Sequence, residues 1–228
     1  MKNIFAAIIL FLSFTAADAQ HTSIYTQKGY QLTFISYDNQ FDPALQQRMV
    51  KTFYTVYPQL AKAFNKNTLK AVTMVIDTTY KGVAETDNGK VTISSKWMHQ
   101  HPEDIDVITH EVMHIVQNYG GDTTDPGWLV EGIADYARYK FGLNNVAANW
   151  ELPQYKLSQN YTDAYRVTAR FLVWLEERVK PGIVNQLDSQ MRDHNYTYLI
   201  WQQQTGQTLD QLWKIYSQNP VIDVTPGS

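Results

Sequence analysis

The chain has 228 residues, 44% hydrophobic and 18% charged, with 11 Gly and 8 Pro, which supplies one substantial apolar core and excludes a disordered or collagen-like chain. Lys plus Arg number 19 against 22 Asp plus Glu, a net charge of -3 with no run of like charges, so no nucleic-acid partner is indicated. There is no cysteine, which excludes disulfides, thiolate ligands and a cysteine nucleophile; any metal must be held by His, Asp or Glu.

The first 20 residues read MKNIFAAIILFLSFTAADAQ: Lys2, an apolar stretch from Ile4 to Leu12, then Ala17-Asp18-Ala19. This is the pattern of a secretory signal, so residues 1–19 are expected to be cleaved and 20–228 to form one domain, secreted or periplasmic. The apolar run falls well short of the ~20 residues that a bilayer span needs, so no membrane span is expected after cleavage. A monomer is expected.

Strand signals dominate the front half. Tyr30 to Ile35 and Ala71 to Ile76 are rich in β-branched and aromatic residues, and Asn88-Gly89 is a hairpin turn whose returning strand runs from Lys90 to Ser94. Between them, Leu45, Met49, Phe53, Val56 and Leu60 recur at spacings of three and four, predicting an amphipathic helix over 43–64 that Pro58 would kink or end.

After Trp97 the pattern turns helical. His101-Pro102-Glu103-Asp104 reads as a helix start, Ile105, Ile108, Val112, Ile115 and Val116 as its buried stripe, and Gly120-Gly121 as its end. Further helices are predicted over 128–139, stopping near Gly142, over 162–179, closed by Pro181-Gly182, and over 183–191 and 208–216. A mixed N-terminal sheet with one helix, followed by a helical half, is an α+β arrangement.

The chemistry is concentrated in His110-Glu111-Val112-Met113-His114. Residues four apart on a helix lie about 40° apart around its axis, so His110 and His114 project side by side and can share one ion. Neutral imidazoles suit Zn²⁺, and Glu111, on the adjoining face, can act on a water without being a ligand. At this composition the pattern is expected by chance about 0.005 times per chain.

A third ligand is needed, because catalytic zinc usually has three protein ligands and an open position. Glu131 follows His114 by 17 residues, with Asp135 four further on, and neither has a basic residue four positions after it. Glu131 reads as the third ligand and Asp135 as the acceptor that takes a histidine Nδ1 proton. The reverse assignment stays open.

HEVMHIVQ, WLVEGIADYARYKFG and the segment from Tyr165 to Leu172, in that order, resemble the basic secretory protein family of plants and bacteria, which is similar to zinc metallopeptidases of the gluzincin type. The resemblance runs from about Ile93 to Tyr216. It implies a zincin-like fold, zinc held by His110, His114 and Glu131, and a secreted peptidase acting on peptides or proteins.

In such a site Glu111 serves as general base, and a donor must face the developing oxyanion. Tyr165 is the first choice, with Tyr161 and His194 as the others. The strand from Val91 to Ser95, if it is a sheet edge, would take an extended peptide by main-chain hydrogen bonds, predicting an endopeptidase with loose side-chain preference. Trp97, Met98 and Trp128 are candidates for an apolar subsite. Arg138 and Arg170 are expected to brace Glu131 and Asp135 rather than anchor a substrate carboxylate, His99 and His101 to form no second metal site, and Gln117 has no assigned role. Two other readings compete: a zinc-containing protein that binds glycans or peptides without catalysis, and a zinc hydrolase acting on a non-peptide amide.

Overall fold

A computed structural model describes residues 21–120 and 126–223; the expected signal peptide and Gly121 lie outside the described residues. β1 (His21–Gln27) and β2 (Tyr30–Ser36) form an antiparallel hairpin turned at Lys28 and Gly29, both at positive φ. α1 (Pro43–Ala63) crosses to β3 (Ala71–Asp77), parallel to β2. β4 (Ala84–Asp87) and β5 (Lys90–Ser94) form the expected hairpin at Asn88-Gly89, and β5 pairs parallel with β3. The sheet order is therefore β1-β2-β3-β5-β4.

That order corrects the expected edge. The strand from Val91 onward is interior, flanked by β3 and β4, and the four-residue β4 is the edge on that side. Val91 and Ile93 are fully buried in the apolar cluster beneath the sheet's helical cover.

α1 starts at Asp42, whose side chain accepts from the Ala44 N–H at 2.8 Å. It neither ends nor breaks at Pro58. Proline has no N–H to give the Tyr54 carbonyl one turn back, and Lys28 Nζ, at the tip of the first hairpin, donates to that oxygen instead at 3.0 Å.

The helical half differs from the sequence reading at its start. α2 (Ser95–Gln100) is a separate short helix, and α3 (Val107–Gln117) begins five residues after Pro102, not at it. Residues 101–106 form turns because their carboxylates are used elsewhere: Glu103 pairs with Arg48 and Asp104 with Arg138. The predicted stripe is buried throughout, and α3 ends at Asn118 in the left-handed conformation.

α4 (Gly127–Phe141) is followed by a 3-10 turn (Tyr161–Asp163), α5 (Tyr165–Arg178), α6 (Ile183–Arg192), α7 (Leu199–Thr205) and α8 (Leu209–Gln218). The sequence pattern predicts no α7 and an α5 unbroken from Thr162, whereas the structure starts α5 at Tyr165 and adds α7. One apolar cluster joins Phe34, Met74 and Ile93 of the sheet to Phe53 and Leu60 of α1, Ile108 and Val112 of α3, and Leu129 and Ile133 of α4. Gly132 lets α5 approach α4 closely, since a Cβ there would lie 2.2 Å from Thr168 Cγ2. Among the described residues, no helix is long and apolar enough to cross a membrane.

Candidate metal centre

α3 carries His110 and His114 on the face turned to α4, and α4 brings Glu131 opposite them. His110 Nε2 lies 3.2 Å from His114 Nε2 and 3.2 Å from Glu131 Oε2, and His114 Nε2 lies 3.6 Å from the same oxygen. These three are, among the described residues, the group of His, Asp or Glu side chains that could hold a metal ion. The triangle is a direct test of fit. Tetrahedral Zn²⁺ with bonds of about 2.0–2.1 Å sets its ligand atoms about 3.3–3.4 Å apart. Two imidazole nitrogens and a carboxylate oxygen at 3.2, 3.2 and 3.6 Å match that separation and leave one position open.

The surroundings fix these side chains. His110 Nδ1 meets Asp135 Oδ1 at 2.7 Å, and His114 Nδ1 meets Gln117 Oε1 at 2.7 Å, so each ring turns its Nε2 inward. Burial opposes charge on His110, but the hydrogen bonds to Asp135 and Glu131 outweigh it and raise its pKa well above the ordinary imidazole value. Burial likewise opposes charge on Glu131, and the two histidines hold its carboxyl well below the usual range. With the carboxylates of Glu131 and Asp135 set against two imidazoles, the pocket has the donor set that a divalent cation takes.

Glu111 is buried, and its Oε2 accepts from Thr86 Oγ1 of the edge strand at 2.7 Å. Sequence reading missed Thr86, which lies 25 residues away in sequence; only its place on the hairpin beside the HExxH segment could have suggested it. Tyr165 enters from α5, its ring stacked at 19° to that of His110 with centroids 6.2 Å apart. Glu131 first, then partial burial, Asp135 and Glu111 raise the phenol pKa, keeping the hydroxyl a donor at neutral pH.

Tyr165 reaches this position because the predicted helix is broken just before it. Ala164 has φ 61 and ψ -172, and Tyr165 has φ 48, so Tyr165 opens α5 and stands half-exposed instead of packing with Phe171 and Trp174. The two other donor candidates lie elsewhere. Tyr161 donates to Asp210 at 2.9 Å and packs on Trp128, and His194 sits beside Gly120; neither lines the cleft.

That cleft, about 1740 Å³, is lined by His110, Glu111, His114, Glu131, Thr86 and Tyr165 and continues past Trp97 and Trp150. Of the expected apolar subsite, Trp97 lines it; Met98 is fully buried, and Trp128 packs against Tyr161 and Trp201. The arginines also differ from expectation. Arg138 pairs with Asp104 at 2.5 Å and lies over the Trp150 ring, and Arg170 donates to the Pro220 carbonyl, so neither braces Glu131 or Asp135. His99 pairs with Asp38 at 2.6 Å, and the His101 ring lies tilted against Trp97 with centroids 4.0 Å apart.

The sequence matches, over residues 15–216, the family described as Peptidase of plants and bacteria. No curated protein matches it. Among solved structures it is similar to aminopeptidase A of Legionella pneumophila in complex with aspartic acid, at 12% identity and TM-score 0.57 over 86% of this chain and 27% of that one. It is also similar to a two-domain M1 zinc metallopeptidase bound to L-tryptophan, at 15% identity and TM-score 0.51 over 91% of this chain and 53% of that one. An M1 zinc metallopeptidase from Deinococcus radiodurans bound to a Tyr-Ser-Ala substrate matches at 16% identity and TM-score 0.50, with the same coverage. The chain thus spans about half the length of these M1 structures, and the likeness is one of fold. From the sequence match, the chain belongs to the basic secretory protein family, the peptidases of plants and bacteria, and its mixed sheet and helical half share the fold of M1 zinc metallopeptidases.

Proposed function

We propose that this protein is an exported zinc-dependent endopeptidase in which His110, His114 and Glu131 hold the metal, Glu111 is the general base and Tyr165 the oxyanion donor. The observation that carries the reading is the triangle of 3.2, 3.2 and 3.6 Å between the three ligand atoms, with a carboxylate that is not a ligand on the next residue of the same helix. Export rests on the signal pattern of residues 1–19.

When bound, the cation supplies Lewis acidity that polarises the scissile carbonyl and acidifies a water. Glu111 takes the proton of the attacking water and passes it to the leaving amine, so no covalent intermediate is needed. The Tyr165 hydroxyl donates to the oxygen on which charge develops. β4, a short edge strand whose Thr86 already touches Glu111, offers main-chain groups to an extended peptide. Trp97 and Trp150, which also line the cleft, offer apolar surface to its side chains.

The test is cleavage of a mixed fluorogenic peptide library by the zinc-loaded protein beside Glu111→Gln carrying the same zinc. Cleavage abolished in the variant is the expected result. No cleavage by either, with zinc bound, would overturn the peptidase reading and favour the hydrolysis of a non-peptide amide or simple binding.

A further inference from the structure

Gln117 is almost wholly buried, at 1% exposure, and both ends of its amide are engaged. Nε2 donates to the Val130 carbonyl at 2.9 Å, and Oε1 lies 2.7 Å from His114 Nδ1. A carbonyl only accepts, so the donating end of the amide must face Val130 and the accepting end must face the histidine. His114 Nδ1 is therefore the protonated nitrogen. In the neutral ring the lone pair then lies on Nε2, the atom that faces His110 Nε2 and Glu131 Oε2 and that a metal would take.

Two features separate this from an ordinary buried bridge between helices. Val130 directly precedes Glu131, so one side chain ties a histidine of α3 to the stretch of α4 that presents the carboxylate. The two histidines are also held unequally, His110 by the Asp135 carboxylate and His114 by a neutral amide. Glu111, Glu131 and Asp135 already place three carboxyl groups around the centre. An amide fixes the second ring without adding a fourth.

We propose that Gln117 is a positioning residue of the metal centre, which sets the Nδ1–H tautomer of His114 and holds that ring in register with Glu131. The proposal rests on the reading of His110, His114 and Glu131 as metal ligands. Partners of this kind on ligating histidines are typically worth 10- to 100-fold in metal affinity.

The experiment measures zinc affinity by chelator competition, with the ring ¹⁵N resonances of His114, on the full chain and on Gln117→Leu and Gln117→Glu. The leucine variant keeps the volume and loses both hydrogen bonds; the glutamate variant keeps an acceptor for His114 and loses the donor to Val130. Expected are a protonated Nδ1 on His114 in the zinc-loaded wild type, at least tenfold weaker zinc binding in the leucine variant, and an affinity between the two for the glutamate variant. A purely structural glutamine would leave zinc affinity within twofold in a folded variant, and that result overturns the proposal. If the leucine variant does not fold, the wild-type resonances and the glutamate variant decide: Nδ1 found unprotonated, or no loss of affinity on losing the Val130 bond, also overturns it. Wild-type protein that binds no zinc defeats the ligand reading itself, whereas zinc binding with the other tautomer defeats the role of Gln117 alone.

Discussion

Asp135 Oδ1 and His110 Nδ1 sit 2.7 Å apart between α4 and α3, both residues nine-tenths or more buried, one turn along α4 from Glu131. The carboxylate spaced four residues after Glu131 thus meets the outer nitrogen of the ring whose inner nitrogen Glu131 faces. Asp135→Asn is expected to weaken zinc binding by tenfold or more, and Glu131→Ala to weaken it further. Titration with a chelator checks both, and if Asp135→Asn alone abolished binding the two roles would be exchanged.

Tyr165→Phe removes the hydroxyl and leaves the ring over His110. Turnover should fall roughly 100- to 1000-fold, the scale of a single oxyanion donor, with zinc content unchanged. Steady-state kinetics with metal analysis tests this, and an unimpaired kcat would remove Tyr165 from the chemistry.

Thr86→Val deletes the hydroxyl 2.7 Å from Glu111 and keeps the shape of the edge strand. A lost hydrogen bond of about 1.5 kcal/mol corresponds to about tenfold in kcat. The expected signature is that loss with unaltered zinc affinity; a parallel loss of zinc would mean that Thr86 shapes the metal ligands instead.

Ala164 occupies a backbone region that belongs almost wholly to glycine, with φ 61 and ψ -172. Ala164→Gly should relieve strain of about 1–3 kcal/mol against a glycine entropy cost of about 1 kcal/mol. A net gain of about 1 kcal/mol raises Tm by about 2–4 °C in a chain of this size. A lower Tm in thermal unfolding would show that the conformation carries no strain.

Asp188 is fully buried, and burial raises its pKa to about 6 from 3.8, against the pull of Arg192 at 2.8 Å and the Tyr119 hydroxyl at 2.9 Å. The folded state then holds this proton more tightly than the unfolded chain, so its contribution to stability falls as pH rises from about 4 to 6. The deficit is on the order of 3 kcal/mol above that window. Urea unfolding at pH 4 and pH 7 should therefore show Asp188→Asn gaining on wild type at the higher pH; an unchanged difference would mean that Arg192 keeps Asp188 ionised throughout.

Much of the candidate site is legible in the sequence because it is local. The i, i+4 histidines lie on one helix face, Glu131 and Asp135 lie on another, and both helices were marked by apolar periodicity. What escaped depended on contacts distant in sequence. Pro102 looked like the first residue of α3, but the pairing of Glu103 with Arg48 and of Asp104 with Arg138 draws residues 101–106 into turns. Whether Val91 to Ser95 forms an edge stayed conditional, because strand order is a property of pairing and alternation alone does not say which neighbour is missing; β4 is the edge. The break at Ala164 has no signal at all: alanine is a strong helix former, and only the packed structure places it at positive φ.

The lysine that stands in for Pro58's missing N–H adds a polar tie between the first hairpin and α1, which already share the apolar cluster and the Tyr54–Tyr30 and Gln46–Tyr25 hydrogen bonds. A nick between Lys28 and Gly29, or acetylation of Lys28, would loosen that tie and leave the Tyr54 carbonyl without its donor in the middle of α1, while β2 stays paired with β3. Loss at the edge of the sheet therefore propagates inward. Amide protons of β1 and of α1 around Tyr54 should exchange with solvent as one opening unit, so the first hairpin belongs to the cooperative core and not to its frayed margin.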